Sequence, residues 1–222
     1  MEIRIEKTKN PKVKPYKISV WNSAVAPEYK TAKVTYNNVN ELLKSKQYDI
    51  ITIQQASFDG HKPETYSPFA EELCDYIRTY QPNAKLLVHQ TWAYEQGSER
   101  LQNELGYRDY RDMLKDIKNA YKKAADGIGA DAVIPSGELF DLMLDSGIKK
   151  VHRDTFHASL GLGRYALALL WYRVICKADV LENAFCEFDE EIKKEYIARL
   201  CGNPPADEGE IETYMRRTAE SI

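Results

Sequence analysis

Apolar strand-like runs alternate with stretches of helical periodicity from residue 49 onward, and this order constrains the fold more than any other feature. The runs are Asp49–Gln54 (DIITIQ), Ala84–His89 (AKLLVH) and Asp131–Pro135 (DAVIP). Each has the length and bounding residues of a short buried strand. After the first, Tyr66–Tyr80 places Phe69, Leu73, Tyr76, Ile77 and Tyr80 on one helical face, with Pro68 tolerated in the first turn. After the second, Tyr107–Asp126 repeats apolar residues at Tyr110, Met113, Leu114, Ile117 and Tyr121, and Gly127 and Gly129 end the helix. Gly137–Asp145 follows the third as a short helix. Ser159–Lys177 is then apolar on most sides, and the sequence predicts a well-buried helix with Cys176 as a small core residue. An earlier run, Tyr16–Trp21 (YKISVW), reads as a strand and Asn37–Lys46 as a helix. Strand–helix alternation of this kind predicts a three-layer α/β/α domain with a parallel sheet of about four to five strands.

The 222 residues suit one such domain over residues 1–180, with a C-terminal helical extension over 181–222. Formal net charge is -3, so no bulk field favours nucleic acid or an anionic membrane. No run is long and apolar enough to span a bilayer, and residues 1–14 lack the apolar core of a signal peptide. The four cysteines form no CxxC pair and no zinc-ribbon spacing. A cytoplasmic, reducing location is therefore expected. The four histidines lack metal-site spacing, so neither a metal nor another cofactor is expected. The basic start, with Arg4, Lys7, Lys9, Lys12, Lys14 and Lys17, reads as a solvated arm, with binding of an anionic partner as the alternative.

In parallel α/β sheets the ligand site lies at the carboxyl ends of the strands. That rule directs attention to Asn22-Ser23, Gln54–Ser57, His89–Tyr94, Ser136-Gly137 and the loop His152–His157. The sharpest motif is Arg153-Asp154-Thr155-Phe156-His157-Ala158-Ser159, placed just before the last core helix. Asp-x-x-His lets the carboxylate bind one ring nitrogen while the other stays available as a general base. Asp154 and His157 are thus the candidate acid–base pair. His89 and Trp92 follow a strand and either line the cleft, where Trp92 stacks on a sugar face, or form an aromatic cluster beneath it. His61 and His152 read as solvated loop residues. Ser159 reads as the cap of the helix that begins there. Gly161-Leu162-Gly163 lacks the strand and lysine of a phosphate loop and reads as a helix-packing element.

Three ordered blocks carry a family resemblance. They are Tyr48–Ser57 (YDIITIQQAS), Pro82–Lys85 followed by His89–Tyr94 (HQTWAY), and Arg153–Ser159 with Gly163-Arg164-Tyr165. In this order the chain resembles the SGNH (GDSL-like) hydrolases, specifically a bacterial branch known only as a domain of unknown function. The resemblance covers about residues 48 to 180. It implies an SGNH/flavodoxin-like fold and a serine ester hydrolase, an esterase or deacetylase acting on a small-molecule or carbohydrate ester. It also implies that His157 is the base, that Asp154 orients it, and that Gln54 replaces the usual asparagine at the end of the third strand. As an amide there, Gln54 either donates to a developing oxyanion or ties strand ends together. Ser57 caps or lines the same pocket.

The nucleophile block departs from the pattern. Family members carry Gly-Asp-Ser or Gly-Asn-Ser after the first strand, whereas this chain has Trp21-Asn22-Ser23. Trp21 occupies a position that favours a residue without a side chain. Two readings stay open: Ser23 is a divergent nucleophile, or the chain is N-terminally shortened and is a degenerate domain that binds a ligand or partner. A missing core strand would expose a sheet edge, from which a homodimer is expected.

Overall fold

The alternation of strand and helix is present in the computed structural model, which describes residues 17–20, 32–35 and 39–181. In order, the elements are β1 (Lys17–Val20), β2 (Ala32–Thr35), α1 (Val39–Ser45), β3 (Ile50–Ile53), α2 (Phe69–Tyr80), β4 (Lys85–Gln90), α3 (Tyr110–Ile128), β5 (Ala132–Pro135), α4 (Ser136–Asp145) and α5 (Leu162–Cys176). The fold is α/β with a parallel sheet, as the sequence predicts. Among the described residues that sheet has three strands in the order β3-β4-β5, fewer than the four to five expected. No described helix is long and apolar enough to cross a membrane. The predicted helical extension beyond Leu181 lies outside the described residues.

The Tyr16–Trp21 strand forms, but not where the alternation puts it. β1 pairs antiparallel with β2 in a separate two-stranded sheet, with Lys17 opposite Thr35 and Val20 opposite Ala32. The reason is that β2, an unanticipated strand, lies near enough in sequence to close a local antiparallel pair, whereas joining a parallel sheet requires a crossover. Ser23 itself lies outside the described residues.

The chain divides into two compact units, Met1–Ile50 with Leu73–Ala84 and Ile51–Glu72 with Lys85–Ile222. In the smaller unit, the buried Gln81 side chain ties the end of α1 to the turn after it. Its oxygen accepts from Tyr48 N–H at 3.0 Å, and its amide nitrogen donates to Lys46 O at 2.8 Å and to Leu43 O. Every polar atom of that side chain is thereby used, which offsets the cost of burying it.

In the larger unit β4 is the central described strand and the best buried, with Leu86, Leu87 and Val88 inside. β5 runs parallel to it, with Leu87 opposite Ala132 and Gln90 opposite Pro135. Asp131 starts this pairing twice: its N–H donates to Leu86 O and its carboxylate accepts from Leu86 N–H, both at 2.8 Å. α3 is the helix whose apolar stripe the sequence most plainly shows. It buries Met113, Leu114, Ile117, Ala120, Tyr121, Ala124, Ala125 and Ile128, the spacing of one helical face. Asp109 caps its start by accepting from Arg111 N–H at 2.8 Å, and Gly129 ends it at φ 60°.

Two helices differ from expectation in what they bury. In α2 the buried residues are Cys74 and Ile77, while Phe69 and Tyr76 are exposed. In α5 burial is confined to Leu162, Gly163, Ala166, Leu169 and Leu170, and Tyr172 and Cys176 are exposed. An all-round apolar sequence gives no moment to orient a helix, so its buried side is set by its neighbours.

α4 begins directly at the end of β5, and this junction requires a glycine. A Cβ on Gly137 would lie 2.6 Å from Leu114 Cδ1 and 2.9 Å from Thr91 O. Gly163 is similarly confined, 2.8 Å from Val151 O and 2.9 Å from Ser159 Oγ at its would-be Cβ. Gly163 thus serves close packing at the start of α5.

Candidate active site

The loop before α5 is a closed turn. Ser159 N–H donates to Val151 O at 2.9 Å, His152 and Ala158 form an antiparallel bridge, and Arg153 N–H donates to His157 O at 2.8 Å. These bonds bring the ends together and leave Asp154, Thr155 and Phe156 at the tip. Asp154 Oδ1 accepts from the His157 backbone N–H at 3.0 Å, so the same carboxylate that faces the ring also closes the turn. Thr155 has φ 71°, a left-handed conformation unfavourable for a β-branched residue by about 1–3 kcal/mol. Such a conformation persists only where its surroundings impose it.

The imposing contacts come from the segment after β4. Glu95 N–H donates to Thr155 O at 2.7 Å, Trp92 Nε1–H donates to Phe156 O at 2.8 Å, and His152 Nε2–H donates to Ala93 O at 2.9 Å. His152 is buried rather than solvated, with its ring edge-on to Phe140 at 5.7 Å. The sequence offers no local sign of this, because its partners are distant in the chain. His61 is half-buried, edge-on to Tyr107 at 5.5 Å. Trp92 belongs to an aromatic cluster. Its ring packs on Phe140 at 4.8 Å, and its N–H is already used by Phe156.

Within this turn Asp154 and His157 form the pair that their spacing implies. His157 Nδ1 lies 3.0 Å from Oδ1 and 2.9 Å from Oδ2 of Asp154. Arg153 Nη2 adds a contact to Oδ2 at 3.4 Å. The His157 hydrogen bond holds the Asp154 carboxyl well below the usual carboxylate range. An ionised Asp154 can only accept, so Nδ1 carries the proton and Nε2 presents a lone pair when the ring is neutral. Nε2 has no hydrogen-bond partner among the described residues, and the ring is about half exposed. Phe156 packs against the ring at 3.9 Å, and the Arg100 guanidinium lies 4.0 Å over the other aromatic centroid, that of Phe156.

A second cluster spans the carboxyl ends of the three parallel strands. Gln54 follows β3, His89 lies near the end of β4, and Ser136 follows β5. Gln54 Oε1 is 2.5 Å from His89 Nδ1, and Ser136 Oγ is 2.9 Å from His89 Nε2. Burial pushes the His89 imidazole down to about 4, since an enclosed ring loses the hydration of its charged form. Trp92 is shared by the two clusters, 6.3 Å from His89 by ring centroids and bonded to Phe156 O. Ser57 lies in a third position, its hydroxyl 3.2 Å from Tyr94 OH, and Tyr94 is edge-on to Phe156 at 5.9 Å. Ser159 Oγ accepts from Gly163 N–H at 2.8 Å, a cap-like bond given from before the helix's own first residue.

Ser136 is the participant that residue-type reasoning passes over. The available signal is positional: it is the first residue after a parallel strand. Ser23 is not among the described residues, and the strand before it is not part of the parallel sheet. No group of three or more His, Cys, Asp or Glu residues able to hold a metal occurs among the described residues.

Comparison with known proteins agrees with the architecture. No curated protein matches the chain. Among solved structures, a DUF4886 family protein from Bacteroides uniformis ATCC 8492 superposes with a TM-score of 0.66 at 24% identity, over 86% of this chain and 68% of that one. A putative SGNH hydrolase from Slackia heliotrinireducens superposes with a TM-score of 0.52 at 22% identity, over 61% of this chain and 70% of that one. Both likenesses establish a shared fold. The family described as a domain of unknown function, DUF4886, matches residues 7–202, and the chain belongs to that family.

Proposed function

We propose that the chain is an SGNH-like serine ester hydrolase, an esterase or deacetylase, in which Asp154 and His157 perform the proton transfers. The observation that carries this reading is the His157 ring, held at Nδ1 by an ionised carboxylate with Nε2 unpartnered and accessible. In that state Nε2 takes the proton from an attacking serine hydroxyl and later returns it to the leaving alcohol. Asp154 keeps the tautomer and stabilises the imidazolium formed in between. Gln54 is exposed, and its amide nitrogen has no partner among the described residues. It is available to donate to the developing oxyanion, a role worth roughly 3 kcal/mol in comparable sites. An acylated carbohydrate remains the substrate class that the family resemblance favours.

A second reading has its own observation. No serine hydroxyl is bonded to His157 among the described residues, and β1 lies in an antiparallel pair. That favours a degenerate domain which binds a ligand or partner without turnover. Hydrolysis of p-nitrophenyl acetate by the wild type and the Ser23→Ala, Ser57→Ala and His157→Ala variants separates the two. Loss in His157→Ala together with one serine variant supports the hydrolase and identifies its nucleophile. A wild type no faster than buffer, on acetylated sugars as well, supports the binding domain.

A further inference from the structure

With Gln54 Oε1 toward His89, the Gln54–His89–Ser136 chain admits one arrangement of protons. An amide oxygen only accepts, so His89 Nδ1, 2.5 Å from Gln54 Oε1, must carry a hydrogen. A neutral imidazole has one N–H, so Nε2 is then a lone pair, and Ser136 Oγ–H, at 2.9 Å, must donate to it. The charged ring is disfavoured here by burial. Trp171 is edge-on to His89 at 4.8 Å and Trp92 stands at 6.3 Å, aromatic neighbours that help to enclose the ring.

Burial along the chain is graded. Ser136 is fully buried, His89 is half-buried, and Gln54 is exposed. The relay thus runs from the interior to the surface and ends on an amide held by its oxygen alone. Turning that amide over would require the opposite tautomer, with Nδ1 accepting from the amide and Nε2–H donating to Ser136, so the amide orientation and the His89 tautomer are set together. Ser136 is fully buried and so is not placed to meet an ester, although its hydroxyl faces an imidazole lone pair. A mere tie between strand ends would not need an exposed terminus with two unused donors.

We propose that Ser136 and His89 are positioning residues, which fix the Gln54 carboxamide by its oxygen and so reserve its two N–H donors for the oxyanion of the reacting ester. This rests on the hydrolase reading above. Preorganised donors act without reorienting as charge develops, which is where their advantage over water lies.

Two measurements test it. Ring ¹⁵N NMR of the wild type is expected to show His89 as the neutral Nδ1–H tautomer, and Gln54→Leu is expected to switch it to Nε2–H donating to Ser136. On p-nitrophenyl acetate, His89→Phe is expected to lower kcat by about the same factor as Gln54→Ala, roughly 100-fold, with KM unchanged. The double variant is expected to fall no further, because both changes remove one function. His89→Asn, which keeps an N–H toward Gln54, is expected to recover part of the loss. An active enzyme whose His89 is the Nε2–H tautomer, or whose two losses multiply, overturns the relay and leaves the hydrolase reading standing. A wild type with the Nδ1–H tautomer and no esterase activity overturns the oxyanion role together with that reading.

Discussion

Acid should destabilise the protein through His89. The imidazole falls from its ordinary 6.5 to about 4 in the folded chain because burial strips hydration from the charged ring. Between those values the unfolded chain binds a proton that the folded chain does not, so folding stability rises with pH across this window. The contribution is fully present above 6.5, declines as pH falls toward 4, and is constant below that. Complete passage costs roughly 3 kcal/mol, from about 1.4 kcal/mol per pH unit, and moving from about pH 7 to about pH 5 costs roughly 2 kcal/mol of it. Other groups titrate in the same range, among them His61, whose pKa burial also lowers. The informative quantity is therefore a difference. Urea unfolding followed by tryptophan fluorescence at both pH values is expected to show the wild type losing roughly 2 kcal/mol more than His89→Gln, which cannot titrate. Parallel losses in the two proteins would refute the claim that His89 is folded into the structure as a neutral, desolvated ring.

Three other outcomes are expected. Asp154→Asn should preserve the fold but reduce ester hydrolysis by roughly 10³-fold or more, because an amide neither enforces the tautomer nor stabilises the imidazolium; an unchanged kcat/KM would remove Asp154 from the mechanism. Gly137→Ala should destabilise by about 1–3 kcal/mol, since the new Cβ meets Leu114 Cδ1 at 2.6 Å and the Thr91 carbonyl at 2.9 Å, and a denaturation midpoint equal to the wild type's would contradict that packing. His152→Phe should cost about 1–3 kcal/mol by leaving the Ala93 carbonyl without its donor. It should also speed amide exchange at Glu95, whose N–H holds Thr155 O in the same loop.

The Asp154–His157 pair was legible because its geometry is local. The partners are three positions apart, a span that one tight turn closes to bring carboxylate and ring together. α3 was legible for a similar reason: apolar residues at helical spacing and Gly129 after it mark its buried face and its end, although it starts at Tyr110 rather than Tyr107 and runs through Gly127. β3, β4 and β5 were legible from short apolar runs, and their carboxyl ends correctly located Gln54, His89 and Ser136 as a set.

What lay beyond the sequence were the relations between distant segments. Whether a strand-forming run such as β1 joins a parallel sheet or pairs with a neighbour depends on which partner is available, and YKISVW has the same composition either way. His152 is tied to the loop after β4, and α2 buried Cys74 instead of Phe69 because tertiary neighbours, not the apolar count, select the face. Gln54 and His89 stand 35 residues apart and His89 and Ser136 47. The sequence by itself determined the residue types at one edge of the sheet and the local pair of Asp154 and His157. Only the tertiary structure decided which hydroxyl meets which imidazole, because hydrogen bonds are made within about 3 Å and that proximity is a property of the packed sheet rather than of any segment within it.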